Sequence, residues 1–405
     1  MTMSSRRSPR SLRTVVPVLV GLIAGSVLAG VGVAATGAGG GPSLTSQVVS
    51  TTPQPSTAAA PPAEAQPDAS SCAPTVAAMS TRDRLAQRVM VGVDASSPAS
   101  VVATVKASHV GGIFIGGNAS ALLQNDALAA VQEASPVSVA VAVDDEGGRV
   151  QRIDALDGSL PSARTMARTK TPEQVRALAK TRAEQLKARG VTLDFAPDAD
   201  VSDQPANAVI GDRSFSNDPA VVAEYAQAFA QGLEDGGIGG VLKHFPGHGH
   251  STGDSHKGRV SVPPLDQLRK ADLLPYADLV GPGKPLHSTR IGVMVGHLDV
   301  PGLATDLPAT LTPAVYRLLR DDYGFDGMVV TDDLGAMKAI SAQFTVPQAT
   351  VKALAAGADM ALSSNVTSPG PVIDALEKAL ADGTISAADN DAAVARILTN
   401  KGLCG

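Results

Sequence analysis

The amino-acid sequence predicts a single (β/α)8 TIM-type barrel, a closed ring of parallel strands surrounded by helices. After Cys72 the chain alternates eight times between short runs rich in β-branched residues and longer Ala/Leu-rich segments with helical spacing. The strand candidates are mostly apolar, which is typical of parallel strands covered by helices on both faces. Residues 72–405 number 334, which is enough for one such barrel with long loops. An open sheet covered by helices is the alternative that this pattern leaves.

Each strand candidate is a short apolar run, and helix candidates lie between the strands. Two of these helices have clear ends. In 171–190, Thr171 precedes a proline as the N-cap and Gly190 ends the helix, and in 218–237 Asp218 takes the same place before a proline. The eight predicted strands are 88–93, 111–117, 138–144, 191–200, 240–247, 291–297, 327–333 and 358–364.

The N-terminal segment differs in composition from the rest of the chain. Four arginines precede the apolar stretch Val15–Ala35, an arrangement typical of an export signal. At 21 residues the stretch is also long enough to stay in a membrane, so residues 1–36 are predicted as a signal peptide or a membrane anchor. Residues 37–71 consist mainly of Ala, Pro, Ser, Thr, Gly and Gln, which predicts an extended, disordered linker.

The net charge argues against a nucleic-acid-binding protein, and the two cysteines are candidates for a disulfide. Residues 37–405 hold 29 basic and 39 acidic side chains, a net charge of −10, and such a body lacks the basic face that a nucleic-acid partner requires. The two cysteines, Cys72 and Cys404, lie at the first residue of the predicted domain and at the penultimate residue of the chain. In an oxidising compartment we expect them to form a disulfide, because the first and last strands are neighbours in a closed ring. Two unpaired thiols are the alternative.

Polar side chains collect where the active site of a (β/α)8 barrel forms, at the carboxyl ends of the strands. Strand three ends in DDEGGRVQR (144–152), and a long loop after strand four carries IGDRSF (210–215). Strand five leads into KHFPGHGHSTGDSH (243–256), and strand seven ends at Asp332. Carboxylates, imidazoles, a lysine and an arginine are thus expected on one face, which indicates a polar ligand with many hydroxyl groups.

These motifs together resemble glycoside hydrolase family 3. The segments DDEGGRVQR, DFAPDAD, IGDRSF, KHFPGHG, DSH and TDDL occur in the family's order and span about Val89 to Met360, nearly the whole predicted barrel. KHFPGHG joined to DSH is similar to the family's β-N-acetylglucosaminidase branch, which is known for peptidoglycan turnover. The resemblance implies a retaining mechanism through a covalent glycosyl-enzyme. No dinucleotide-binding or phosphate-binding glycine motif occurs, and no cofactor is predicted.

The resemblance implies catalytic roles for three residues. Asp332 corresponds to the nucleophile that attacks the anomeric carbon. His256 corresponds to the acid/base, and Asp254 corresponds to the partner that orients its imidazole. Taken alone, Asp332 reads as an ordinary loop carboxylate, and the four histidines of 244–256 read as a solvated turn or a zinc site. Since no Glu or Cys completes a familiar ligand spacing, no metal is predicted.

Five further residues are implied to hold one sugar through charge-assisted hydrogen bonds to its hydroxyl groups. For Arg213 an ion pair with Asp212 or Asp200 is the structural alternative, and His297 is interpreted as lining the pocket. With no Trp and 3% aromatic residues, an exo-acting pocket for one terminal sugar fits better than a polymer cleft. The implied sugar-holding residues are Asp144, Arg152, Arg213, Lys243 and His244.

These expectations describe an exported, monomeric enzyme that acts outside the cytoplasmic membrane. Its substrate would be a small carbohydrate with a terminal β-linked N-acetylglucosamine, taken from cell-wall fragments. A phosphorylase is the nearer alternative, since a neutral histidine tolerates an anionic phosphate acceptor better than a carboxylate does. The other alternative is a catalytically silent surface protein that binds sugar, which the presence of Asp254, His256 and Asp332 disfavours.

Overall fold

The computed structural model of the chain describes residues 69–366 and 368–404. The predicted signal or anchor segment 1–36, and the linker as far as residue 68, lie outside the described residues. Within the described part of the chain, no helix combines the length and the apolar character that crossing a bilayer requires. The described chain begins with the short 3₁₀-helix Ala69–Cys72.

All eight predicted strands are present. Seven lie inside their predicted ranges, and the fifth begins one residue earlier than predicted. The strands are β1 (Val89–Gly92), β2 (Gly112–Phe114), β3 (Ala140–Val143), β4 (Leu193–Asp194), β5 (Gly239–Phe245), β6 (Ile291–Val295), β7 (Val329–Thr331) and β8 (Ala361–Ser363).

The strands form one parallel sheet that closes on itself. From β1 to β7, consecutive strands of the barrel are paired with one another. β1 also pairs with β8, where Val89 lies opposite Ala361. A parallel bridge between Val330 and Met360 joins β7 to the segment that enters β8. The ring is therefore complete, which confirms the (β/α)8 barrel and excludes the open sheet.

Helices follow most strands and cover the outside of the barrel. They range from single turns to the two 17-residue helices that precede and follow β4 in the chain. Among the described residues the α-helices are α1 (Ala73–Ala78), α2 (Thr81–Gln87), α3 (Pro98–Ser108), α4 (Ala127–Glu133), α5 (Asp154–Asp157), α6 (Ala163–Thr169), α7 (Pro172–Ala188), α8 (Pro219–Asp235), α9 (Leu265–Leu268), α10 (Leu274–Leu279), α11 (Pro313–Arg317), α12 (Lys338–Ser341), α13 (Val346–Ala356), α14 (Gly370–Ala381) and α15 (Ala387–Asn400).

The two long helices begin at the predicted caps. Thr171 and Gln174 form a capping box, in which each side chain accepts from the other's backbone N–H, at the start of α7. The side chain of Asp218 accepts from the N–H of Ala220 at the start of α8. Local sequence was sufficient here because a cap depends on residues only two or three positions apart.

The strands contribute side chains to two apolar layers, one outside the barrel and one inside it. In β1, Val89 and Val91 pack outward with the helices, whereas Met90 belongs to the interior of the barrel. Phe195 and Met294 belong to the same interior layer. The inside of the barrel is therefore a packed core, and a ligand must bind at one of its ends.

A disulfide joins the two ends of the domain. Cys72 and Cys404 are bonded across 332 residues, and their Cα atoms are 5.1 Å apart. Both are buried in a cluster with Leu398 of α15. Asn400, the last residue of α15, donates through Nδ2 to the carbonyl of Arg290, the residue before β6. The disulfide therefore lies on the side of the barrel where the strands begin.

Two short strands outside the barrel were not predicted. Val260–Ser261 pairs in parallel with Leu298–Asp299, so that the loop after β5 is joined to the loop after β6. A two-residue strand has no periodicity that a sequence pattern can reveal. The pairing holds down the far end of the loop that carries residues 250–256.

Candidate active site

A cavity of about 550 Å³ opens at the carboxyl ends of the strands. Phe114, Phe195 and Met294 line its apolar part, and its polar side chains come from the end of β5 and from the loops after β3, β4, β5, β7 and β8. This volume is within the usual range for small-molecule sites. Seven of the eight residues assigned to catalysis and sugar binding line the cavity, namely Asp144, Arg152, Arg213, Lys243, His244, His256 and Asp332.

A buried network of charged side chains forms one wall of the cavity. Lys243 Nζ lies 2.7 Å from Asp144 and 2.5 Å from Glu146. Arg213 donates two hydrogen bonds of 2.8 Å to Glu146, one from Nε and one from Nη2. Arg152 makes a longer contact of 3.5 Å with the other oxygen of Asp144. Glu146, which sequence reasoning did not select, is therefore the centre of the network.

The charges in this network fix one another's ionisation. Burial opposes a charge on Glu146, but Arg213 and Lys243 lower the pKa of its carboxyl far below the usual range. Burial likewise opposes a charge on Lys243, but Asp144 and Glu146 raise the pKa of its ammonium. Glu146 and Lys243 therefore stay charged at neutral pH, and the wall presents fixed charges that can form strong hydrogen bonds with a polar ligand.

We expect Glu146→Gln to lower the free energy of unfolding by about 3 kcal/mol, because it leaves two buried cations without their shared anion. The Glu146 side chain is 3% exposed and contacts both Lys243 and Arg213. Chemical denaturation provides the measurement. Asp235→Asn, which breaks a partly exposed pair with Arg176, is the control and should cost less than about 1 kcal/mol. Equal losses in the two variants would contradict this prediction.

The carboxylate of Asp332 lies where β7 ends, in the wall of the cavity. One of its oxygens accepts from the backbone N–H of Asp333 at 2.8 Å. Burial opposes its ionisation, but the imidazoles of His297 and His244, together with this N–H, lower the pKa of Asp332 to about 2. The carboxylate is therefore ionised at neutral pH, as a nucleophile must be.

Neighbouring residues hold this strand end in place. The Asp333 carboxylate accepts from the backbone N–H groups of Gly335 at 2.9 Å and Ser364 at 3.0 Å, and Asp333 borders the cavity as well. His297, interpreted as lining the pocket, is instead buried behind it. Its Nε2 lies 2.9 Å from the carbonyl of Asp333, and its Nδ1 lies 2.7 Å from Thr310. His297 thus supports the loop, because both of its ring nitrogens have partners there.

His256 and Asp254 lie together on the loop that follows β5. His256 Nδ1 is 2.9 Å from Oδ1 of Asp254, which also accepts from the backbone N–H of His256 at 3.0 Å. Partial burial opposes ionisation of Asp254, but the hydrogen bonds from His256 and Lys257 lower the pKa of its carboxyl. An ionised Asp254 keeps the proton on Nδ1 and leaves Nε2 of His256 for proton transfer.

A second group of buried residues lies beneath His244. Its Nδ1 is 2.7 Å from Asp200, which also accepts from the backbone N–H of His248 at 2.6 Å. Burial and the nearby Arg213 lower the pKa of His244 to about 4. Burial and the charge of Asp200 raise the pKa of Asp198 to about 8. The run of acidic residues in FAPDAD was visible in the sequence, but a run of carboxylates does not reveal which of them supports an imidazole.

A metal site needs several ligand side chains close together. In the part of the chain that the structure describes, one set of three or more such side chains has its ligand atoms within 4.8 Å of one another, namely Asp198, Asp200 and His244. His244 Nδ1 already bonds to Asp200, and Nη2 of Arg213 stands 3.7 Å from Asp198. A metal ion would have to break the first contact and face the guanidinium. Only one of the four histidines of 244–256 belongs to this group. These residues therefore fit a hydrogen-bonded support better than a metal site.

Two arginines hold the long loop that presents Arg213. Arg149 donates to successive carbonyls of this loop and pairs with Asp212. Arg164 donates to three further carbonyls of the same loop. Because Asp212 pairs with Arg149, the Arg213–Asp212 ion pair considered from the sequence does not form, and Arg213 is left to bind Glu146.

Comparison with known proteins identifies the family of the chain. Residues 80–400 match the family model described as the glycosyl hydrolase family 3 N terminal domain. Over 333 residues the chain is 48% identical to the beta-hexosaminidase LpqI of Mycobacterium tuberculosis, an alignment that covers 80% of this chain and 84% of that protein.

Solved structures show the same relationship. A glycosyl hydrolase of the GH3 family from Mycobacterium smegmatis is 49% identical with a TM-score of 0.76, covering 82% of this chain and 98% of that one. A beta-N-acetylhexosaminidase from Beutenbergia cavernae is 30% identical with a TM-score of 0.69, covering 80% and 99%. The chain therefore belongs to glycosyl hydrolase family 3: it is a glycoside hydrolase, and its relatives include β-hexosaminidases.

Proposed function

We propose that this glycoside hydrolase is an exo-acting, retaining β-N-acetylglucosaminidase. One observation carries the proposal: an ionised Asp332 and His256, whose Nδ1 contacts Asp254, line the same cavity as several charged side chains. A nucleophilic carboxylate and a separate proton carrier are the two groups that a retaining glycosidase needs. The similarity to β-hexosaminidases supports a 2-acetamido sugar as the unit released.

In the first step an oxygen of Asp332 bonds to the anomeric carbon while the bond from that carbon to the aglycone oxygen breaks. The imidazolium of His256 donates its Nε2 proton to the departing oxygen, and the carboxylate of Asp254 stabilises the cation before transfer. The products of this step are the free aglycone and a covalent glycosyl-enzyme.

In the second step the now neutral Nε2 of His256 accepts a proton from water. The water oxygen bonds to the anomeric carbon while the bond between that carbon and Asp332 breaks. This step restores the carboxylate of Asp332 and the imidazolium of His256. Two displacements on the same carbon return the original β configuration. Asp144, Arg152, Arg213, Lys243 and His244 hold the sugar during both steps.

We propose cell-wall fragments with a terminal N-acetylglucosamine as the natural substrates, and an extracytoplasmic location for the enzyme. The arginine-rich, apolar N-terminal segment supports export. The Cys72–Cys404 disulfide supports an oxidising compartment. The apolar and charged faces of one cavity of about 550 Å³ suit a single terminal sugar.

Hydrolysis of an aryl β-N-acetylglucosaminide, followed by NMR, tests the proposal. We expect β-N-acetylglucosamine as the first-formed anomer, and we expect phosphate in the buffer to leave the products unchanged. The α-anomer as first product would contradict the retaining mechanism. A sugar 1-phosphate as the main product in phosphate buffer would contradict hydrolysis and favour the phosphorylase.

We expect His256→Ala to lower kcat about 10²–10³-fold on a disaccharide, whose leaving group needs a proton. An aryl glycoside with a good leaving group should still form the glycosyl-enzyme at a near-normal rate, since that step needs little acid help. Hydrolysis of the intermediate should be slow because no base activates water. Stopped-flow measurement should therefore show a burst of aglycone followed by slow turnover.

The matched control is Lys257→Ala on the same loop. Lys257 contacts Asp254 at 3.2 Å, but its side chain is 83% exposed. We expect this variant to show neither a burst nor more than about a threefold loss of kcat, as is typical of exposed ion pairs. Equal damage to the first step for good and poor leaving groups in His256→Ala would argue against an acid role.

A further inference from the structure

The loop that carries Asp254 and His256 is attached to the barrel through the residue between them. Ser255 Oγ lies 3.2 Å from Nε2 of His248. The two residues are 1% and 2% exposed, whereas the side chain of His256 is 65% exposed. The residue next to an exposed imidazole thus makes a buried polar contact.

His248 itself is held by Asp200, which follows β4, and by His244 of β5. Its backbone N–H donates to Asp200 at 2.6 Å, and its ring packs edge-on against His244 with 5.6 Å between centroids. The next residue is Gly249. A Cβ there would stand 1.9 Å from the carbonyl oxygen of Val201, so Gly249 is needed for close packing. His248 and Gly249 therefore form a fixed base for the loop.

The other side of Ser255 contacts the segment that follows the nucleophile. The carbonyl of Ser255 accepts from the N–H of Ala339 at 3.1 Å, and the carbonyl of His256 accepts from Lys338 at 3.3 Å. Both donors belong to α12, which follows Asp332 in the chain. The segment 255–256 therefore bridges the strand end that supports His248 and the strand end that carries the nucleophile.

We infer that His248 and Ser255 form a latch that positions the Asp254–His256 pair above the anomeric carbon. The latch rests on the proposed acid/base role of His256. His248 is a positioning residue in this arrangement, since it acts on the reaction only through Ser255. Ser255 is adjacent in the chain to both members of the pair, so loss of its contact with His248 frees the side chains that must approach the leaving group within hydrogen-bonding distance.

The surroundings of His248 indicate which of its two ring nitrogens carries the proton. Burial and the neighbouring His244 lower the pKa of His248 to about 4, so its ring is neutral at pH 7. Its Nδ1 is buried without a hydrogen-bond partner among the described residues. A buried acceptor without a partner is tolerated better than a buried N–H, which places the proton on Nε2. His248 then donates to Ser255 Oγ.

A double-mutant cycle between Ser255→Ala and His256→Ala tests the latch. We expect Ser255→Ala to lower kcat on a disaccharide about 10–100-fold, as misplacement of a catalytic group does. It should also produce a burst with an aryl glycoside. In the His256→Ala background the same substitution should have almost no further effect, because there is no acid/base left to position.

Substitutions at His248 supply the rescue. His248→Gln keeps an N–H donor that can reach Ser255 and should retain most of the activity, whereas His248→Leu should behave like Ser255→Ala. Melting temperatures are measured for every variant, and rates are normalised to the concentration of folded protein. Loss of activity in His248→Leu with full rescue in His248→Gln supports a hydrogen bond as the cause.

Three outcomes overturn the latch. The first is a normal kcat in Ser255→Ala. The second is an equal loss from Ser255→Ala in the presence and absence of His256, which indicates a general structural defect. The third is a normal kcat in His256→Ala, which removes the proposed acid/base function itself. The first two leave that function standing, so the failures of the two proposals are distinguishable.

Discussion

Asp332→Ala is expected to lower kcat at least about 10⁴-fold, equivalent to about 5.5 kcal/mol of activation free energy, while the barrel stays folded. The physical reason is that no glycosyl-enzyme can form without this carboxylate. It lies at the end of β7 with a pKa of about 2, and it lines the cavity together with His256. Steady-state hydrolysis of an aryl β-N-acetylglucosaminide gives kcat, and circular dichroism reports folding.

Asp333→Ala is the matched control: Asp333 also borders the cavity, but its carboxylate accepts from the backbone N–H groups of Gly335 and Ser364. We expect this variant to have a lower free energy of unfolding but a much smaller loss of kcat than Asp332→Ala. Added azide should restore turnover in Asp332→Ala alone, since the small anion fits where the carboxylate was removed, and should yield the α-glycosyl azide. A near-normal kcat in Asp332→Ala would show that the nucleophile lies elsewhere.

Removal of the Cys72–Cys404 disulfide is expected to lower the free energy of unfolding by about 5 kcal/mol. The bond closes a loop of 332 residues, and the chain-entropy model assigns a large stabilisation to such long loops. For a domain of this size the loss corresponds to a fall in Tm of about 5–10 °C. KM should stay unchanged, because the bond lies where the strands begin and the cavity lies where they end.

Calorimetry of the Cys72→Ser/Cys404→Ser double variant measures this effect. Wild-type protein reduced with dithiothreitol is the control that separates the cross-link from the packing of the two side chains against Leu398. Mass measurement after alkylation under non-reducing conditions provides the direct check. Two alkylatable thiols in the native exported protein would refute the bond, and an unchanged Tm after reduction would refute its effect.

The strands and caps were predictable because they depend on local sequence. Apolar runs such as 291–297 are bounded by clear breaks, and the cap at Thr171 involves residues three positions apart. The two-residue strands Val260–Ser261 and Leu298–Asp299 have no such signal, since they form only when two loops meet. Strand length therefore limited what the pattern could reveal.

The sequence by itself determined the (β/α)8 class and the set of chemistry-bearing residues, since these depend on periodicity and on which residues follow each strand. Only the tertiary structure decided the pairing between them. It paired Arg213 with Glu146, placed His297 behind the nucleophile, and joined His248 to Ser255. Some of these contacts join loops that are distant in the chain. The contact between His248 and Ser255 joins two residues of one loop that folds back on itself. Their partners are therefore selected by packing and burial, which no local pattern encodes.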